Sequence, residues 1–224
     1  KNIDGIICSN NHQLQNINKP TYFWVMMTIL TGLWEFSYLT NYDSVINYSQ
    51  QLINNTEHVW TNDYNISYVL PWKLSYIFYG EYGAWADREY MSSIDQWSRT
   101  IEGSHCTQCA LFSLLAILFK IFSNHNNYLI CLSVSMGTQF MNSLLYMVCY
   151  FIQEKEPSNV NYPSEDFPTD MWLIERPFMW VNIFWLVMPF YTIMYYLLEN
   201  WDNSIKKKNY SIINESNKNI KEKI

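Results

Sequence analysis

The chain of 224 residues is long enough for one domain, and its net charge of -6 comes with no basic surface of the kind nucleic acid requires, so nucleic-acid binding is not expected. A mean hydropathy of -0.16 looks soluble, but it averages a mosaic of Asn-, Ser- and Glu-rich stretches and long apolar runs heavy in Trp, Tyr, Phe and Met. Aromatics reach 18% while charged residues are only 15%, and four of the five cysteines (Cys106, Cys109, Cys131 and Cys149, but not Cys8) lie in or beside apolar runs, which argues against a secreted disulfide framework. The chain begins at Lys1 with no Met and no signal-peptide pattern, and the expectation is a piece lacking an earlier segment.

A bilayer core needs about 20 mostly apolar residues per helix, and four segments supply them. After a polar segment at 1–20, span A is TYFWVMMTILTGLWEFSYLTN, Thr21 to Asn41. A long polar-aromatic connection over 42–98 follows. Its sequons at Asn47, Asn54 and Asn65 are of the number that chance produces in so Asn-rich a chain. Span B covers Arg99 to Phe122, and a short SNHN turn leads to span C, Tyr128 to Ile152. An acidic, Pro-punctuated loop, QEKEPSNVNYPSEDFPTD, then precedes span D, Pro177 to Leu198. The tail at 201–224 carries Lys206, Lys207, Lys208, Lys218, Lys221 and Lys223, and Lys120 flanks the B–C turn. The tail and the B–C turn should therefore be cytosolic, with the A–B connection and the C–D loop lumenal. The expected fold class is an all-α membrane protein with a bundle of at least four transmembrane helices over 21–200.

Depth within those helices singles out the candidate site. Glu35 lies 14 residues beyond Thr21, so it sits about 21 Å in from the cytosolic end at 1.5 Å per residue. Glu102 lies near the lumenal start of span B, while Asn182 and Trp185 are near the lumenal start of span D. Gln139 and Asn142 fall in the corresponding layer of span C. An ionisable residue in hydrocarbon costs about 2.5–3.5 kcal/mol even on the gentler insertion scales, so it faces the bundle interior. Taken singly, Glu102 could be interfacial, Asn182 and Gln139 interhelical glue, and Trp185 packing. Their convergence at one depth is what argues for a site.

The stretch TIEGSHCTQC, 100–109, also holds a CxxC and a Glu-x-x-His. A redox CxxC sits in a soluble, electropositive setting, whereas Cys106 and Cys109 run straight into ALFSLLAILF. A di-iron bundle needs a second Glu-x-x-His, and zinc needs more ligands than the scattered His12, His58 and His125 offer, so no metal or other cofactor is expected. No elbow motif supports a Ser-His-Asp arrangement. Two carboxyl groups beside a Trp in a dry aromatic pocket remain. Burial keeps one acid protonated while its neighbour accepts, and a Trp face stabilises a cation between the two steps. Such a pair suits isomerisation of a double bond in an apolar substrate.

These residues resemble the emopamil-binding protein (EXPERA) family, whose type member is a 3-beta-hydroxysteroid Delta8-Delta7 isomerase of the endoplasmic reticulum, over about residues 21–200. VNIFWLVMP, Val181 to Pro189, is similar to the family's last span, and EYGAWADREYMSSIDQWSRTIE to its loop-plus-Glu segment. LWEF supplies the first-span acid and VSMGTQFMNSLLY the third-span pattern, with Asn142 where the family has an acid. The resemblance implies that Glu35 and Glu102 form the acid/base pair, with Trp185 as cation partner and Asn182 as hydrogen bonder. Tyr82, Asp87, Tyr90, Gln139 and Asn142 fall on recurrent substrate-binding positions. It implies a sterol substrate, cationic amphiphilic ligands that mimic the cation, the endoplasmic reticulum membrane and one more span before span A, and it leaves homodimerisation open. The alternatives are a non-catalytic sterol- or amphiphile-binding member and an isomerase of another triterpenoid. Two positions depart from the pattern: Thr31 stands where the family has His, and His105 where it has Thr. Each lies one turn from a candidate acid, so the imidazole is expected to have moved from span A to span B across one pocket. The family's loop Arg falls on Glu89, beside Arg88.

Overall fold

A computed structural model describes residues 17–92, 96–165 and 177–221. Cys8, His12, Lys223 and the end of the acidic loop at 166–176 lie outside the described residues. The fold is all-helical, with no strand among the described residues. In chain order the long elements are α1 (Lys19–Thr40), α2 (Tyr42–Asn55), α3 (Pro71–Trp85), α4 (Trp97–Ile121), α5 (His125–Gln153) and α6 (Pro177–Lys221).

Helices α1, α4, α5 and α6 fall on the four expected apolar segments. Two of them are long and apolar enough to cross a bilayer by length and composition: α4, with 25 residues, and the 31-residue stretch Trp180–Tyr210 of α6. The expectation of four such helices is met in length but not in apolarity, because α1 and α5 are diluted by Thr, Tyr, Ser, Asn and Gln. Those polar residues point inward. On α1, Trp24, Thr28, Thr31, Glu35 and Tyr38 are all buried, at the i, i+3, i+4 spacing of one helix face. Phe23, Leu33 and Phe36 on the opposite side are more than half exposed. The tail at 201–224, expected as a separate segment, continues α6 as helix to Lys221.

The connection after α1 is not the irregular loop its composition suggested. It folds into α2 and α3, which pack on each other and on α1. Glu81 of α3 ties the intervening chain down: Oε2 accepts from Val59 N at 2.9 Å, and Oε1 lies 2.6 Å from His58 Nδ1. A 3-10 turn, Arg88–Met91, then crosses the bundle. Hydroxyls from three helices hold the carbonyl of Tyr90 within the turn and those of Ala86 and Ser92 on either side of it. Tyr38 donates to Tyr90 O at 3.0 Å, Tyr42 donates to Ser92 O, and Tyr150 donates to Ala86 O at 3.2 Å.

Helix α4 is not uniform. Residues His105–Ala110 form a π-helical stretch between α-helical halves. This wide turn packs against Gly32 of α1 so closely that a Cβ on Gly32 would stand 2.2 Å from Ala110 Cβ. Gly32 is the residue that lets the two backbones meet.

Candidate functional site

A cavity of about 150 Å³ lies where α1, α3, α4, α5 and α6 converge. Thr31, Glu35, Tyr82, Tyr90, Glu102, His105, Gln139, Asn142, Asn182 and Trp185 all line it. Of the residues singled out in the sequence, only Asp87 does not. It lies one layer behind, 1% exposed, where its Oδ2 accepts from Tyr146 OH at 2.6 Å and its Oδ1 from Asn161 Nδ2 at 2.8 Å. Glu89 is buried there too, accepting from Ser98 Oγ at 3.2 Å and from Gln153 Nε2, so it takes no loop-Arg role at the cavity. Thr31 points its hydroxyl back at Met27 O, 3.0 Å away. Asn142 Nδ2 donates to Ser104 Oγ at 3.3 Å.

The donors and acceptors around His105 fix its tautomer. An indole nitrogen can only donate, so Trp24 Nε1, 2.6 Å from Gln139 Oε1, sets the orientation of that amide. Gln139 Nε2 is then a donor, and His105 Nε2 at 2.9 Å must accept. The ring proton is left on Nδ1, which donates to Glu35 Oε1. A hydrogen-bonded line thus runs from α1 through α5 and α4 back to α1. Trp185 closes its other side: its ring lies 4.5 Å from that of Trp24 and meets the imidazole edge-on at 5.9 Å.

The two carboxyl groups differ. Glu102 has both oxygens occupied, Oε2 by Tyr79 OH at 2.9 Å and Oε1 by Tyr90 OH at 2.5 Å. Burial, reinforced by the adjacent Glu102, pushes the Tyr90 hydroxyl well above its usual range, so it stays an O–H donor. Glu35, 4% exposed, has its Oε2 buried without a hydrogen-bond partner, and its side chain lines the same cavity as Glu102. Asn182 Nδ2 donates to Tyr82 OH at 2.5 Å, and Tyr82 pairs with Tyr146 OH at 2.8 Å.

Tyr79, Tyr146, Trp24 and Trp34 belong to this site and were not among the expected residues. Two of them had a spacing signal. Tyr146 continues the stripe of Gln139 and Asn142 at i, i+3, i+7, and Tyr79 lies one turn before Tyr82. The CxxC has no part in the cavity. Cys106 Sγ donates to Gly32 O at 3.2 Å, and Cys109 is fully buried in the π turn. Among the described residues, no group of three His, Cys, Asp or Glu side chains is placed to hold a metal ion.

The arrangement offers a carboxyl group with a free oxygen, a second held by two hydroxyl donors, and an indole face, all on one buried, aromatic-rich cavity. Comparison of the chain with family profiles, with curated proteins and with solved structures finds no match in any of the three.

Proposed function

We propose that this chain is a multi-pass membrane protein with four spans and a cytosolic C-terminus, and that it is a sterol Delta8-Delta7 isomerase of the endoplasmic reticulum, of the emopamil-binding (EXPERA) type. Support for four spans comes from which sides of α1 and α5 are polar and which apolar. Each covers the roughly 30 Å of a hydrocarbon core at 22 and 29 residues. Each turns its polar groups inward while Phe23, Phe36, Ile130, Met141 and Ile152 are at least half exposed. That is a lipid-facing distribution, since a bilayer rewards burial of polar rather than apolar groups.

The observation that carries the catalytic reading is the single cavity that collects Glu35, Glu102, His105, Asn182 and Trp185 from three helices. In this mechanism Glu35 Oε2 delivers a proton to one alkene carbon of the sterol. The resulting carbocation lies against the face of Trp185, worth about 2 kcal/mol or more when desolvated. Glu102, held as acceptor by Tyr79 and Tyr90, removes a proton from the neighbouring ring carbon, and the double bond re-forms one position along. No proton is gained or lost overall. The proton taken up by Glu102 returns to Glu35 across the short gap between the carboxyl groups, so the pair resets without water. His105 orients Glu35, filling the place that Thr31 leaves open. A cavity of about 150 Å³ takes a benzene-sized ring, which matches a site that acts on one ring of a larger molecule. Cationic amphiphiles would bind by placing their ammonium where the carbocation forms.

The test is conversion of a Delta8 sterol to its Delta7 isomer by the purified protein, followed by mass spectrometry, with Glu35→Gln and Glu102→Gln as controls. Conversion abolished by either change supports the enzyme. Retained amphiphile binding with no conversion by the wild type would overturn it in favour of a non-catalytic binding protein.

A further inference from the structure

Asp87 is buried behind the cavity wall, and its two oxygens are engaged differently. Arg88 N donates to Asn161 Oδ1 at 2.8 Å, which turns the other edge of that amide, Nδ2, onto Asp87 Oδ1 at 2.8 Å. Glu89 N donates to the same oxygen at 2.9 Å. Backbone N–H groups only donate, so Oδ1 is fixed as an acceptor. The other oxygen, Oδ2, meets Tyr146 OH at 2.6 Å.

Each hydroxyl carries one proton, and that sets a direction. With Asp87 ionised, Tyr146 gives its proton to Oδ2 and can only accept from Tyr82 OH at 2.8 Å. Tyr82 thereby donates to Tyr146, and its oxygen accepts from Asn182 Nδ2 at 2.5 Å. The Asn182 amide cannot be turned end for end in this state. Its carbonyl would then face a hydroxyl oxygen whose proton is already on Tyr146. The four groups form one directed chain from α6 through α3 and α5 to the turn after α3. Asn182 lines the cavity, and with its N–H edge on Tyr82 its carbonyl is turned away from Tyr82.

Resting on the isomerase reading above, we propose that Asp87 is a positioning residue: through Tyr146 and Tyr82 it holds the carbonyl oxygen of Asn182 toward the ligand. There the negative end of the amide dipole complements a carbocation or an ammonium group. The change Asp87→Asn isolates this effect. The new amide keeps an oxygen for Glu89 N and Asn161, and with it the cap of the 3-10 turn. Its N–H group, however, now donates to Tyr146. Tyr146 must then donate to Tyr82, Tyr82 to Asn182, and the Asn182 amide must turn over to accept. One isosteric change at the far end reverses the polarity presented to the ligand.

The test measures the affinity of the full chain in lipid nanodiscs for a tertiary-ammonium amphiphile and for its neutral counterpart with carbon in place of nitrogen. Asp87→Asn should weaken binding of the cation about tenfold and leave the neutral ligand within about twofold. Tyr146→Phe keeps the charge of Asp87 but cuts the chain, so it too should weaken the cation selectively. In an Asn182→Leu background, Asp87→Asn should have no further effect on either ligand. Equal losses on both ligands, no loss on either, or an unaffected Tyr146→Phe overturns the proposal. So does a selective loss that persists in the Asn182→Leu background, since the charge of Asp87 would then act directly across space. A wild type that binds both ligands alike, or neither, overturns it as well. Should the wild type prefer the cation but isomerise no sterol, the isomerase reading fails, while the binding comparison still decides the role of Asp87.

Discussion

Replacing Gly32 with Ala tests whether the wide turn of α4 is held where the site needs it. The new Cβ would lie 2.2 Å from Ala110 Cβ, against an ordinary contact of 3.4–4 Å. The neighbour is a Cβ fixed to backbone, so it cannot swing aside, and α1 and α4 must separate by more than an ångström. Overpacking of this kind costs about 1–3 kcal/mol. Ala in place of Gly within a helix returns about 1 kcal/mol of propensity, leaving a net loss of about 0–2 kcal/mol. Separation also pulls His105 away from Glu35, so ligand affinity and turnover should fall more than stability does. Removing the opposing methyl with Ala110→Gly in the same chain relieves the clash, and the propensity terms then cancel. The assay is a double-mutant cycle on unfolding temperature in detergent, with amphiphile affinity measured in parallel. The expected coupling is about 1–3 kcal/mol, equal to a recovery of roughly 2–12 °C for a chain of this size. A double variant no better than Gly32→Ala alone would refute the close approach.

Tyr90→Phe removes one of two donors to Glu102. Hydrogen bonds to charged groups contribute about 1.5–3 kcal/mol, so turnover should fall by about tenfold to a hundredfold with folding retained; an unchanged rate would remove Tyr90 from the site. Gln139→Glu replaces the amide N–H that faces His105 Nε2 with an acceptor, so the imidazole should reprotonate there and release Glu35. The nitrogen chemical shifts of His105 should report the switch, and shifts identical to wild type would discard the tautomer assignment. The paired change Thr31→His with His105→Thr should keep substantial activity where His105→Ala loses it. If the pair is as inactive as the single change, the imidazole has no interchangeable place in the pocket.

The four long helices were legible because each follows a stretch of about 20 residues rich in apolar side chains, although only α4 and α6 are apolar enough to cross a bilayer by composition. The meeting of Glu35, Glu102, Asn182 and Trp185 at one level of the bundle was legible too, since helical rise converts residue number into distance along each helix. Helices α2 and α3 were not recognised, because Asn, Ser and Tyr dilute their apolar character. The stripe of Tyr42, Val45, Ser49 and Leu52, all buried on α2, is nevertheless a helical spacing. Asp87 was assigned to substrate through a resemblance, but a 3-10 turn carries it behind the cavity wall. The bond from Trp24 to Gln139 spans 115 positions, and no local pattern could reveal it. The tautomer of His105 follows from that bond, so it too had to await the fold.

The π turn at His105–Ala110 divides α4 into two independently aimed halves. Glu102 above it and His105 at its first position face the cavity; below it, Ser113 pairs with Ser135 at 2.7 Å and Ala116 is fully buried. A wide turn absorbs one residue more than a regular one, which offsets the lower half by about 100° relative to a straight helix. Deleting a single residue from this turn would leave the upper half in place and rotate Ser113 and Ala116 out toward the surroundings. Evolution can thus exchange the chemistry of the upper half without repacking the lower one.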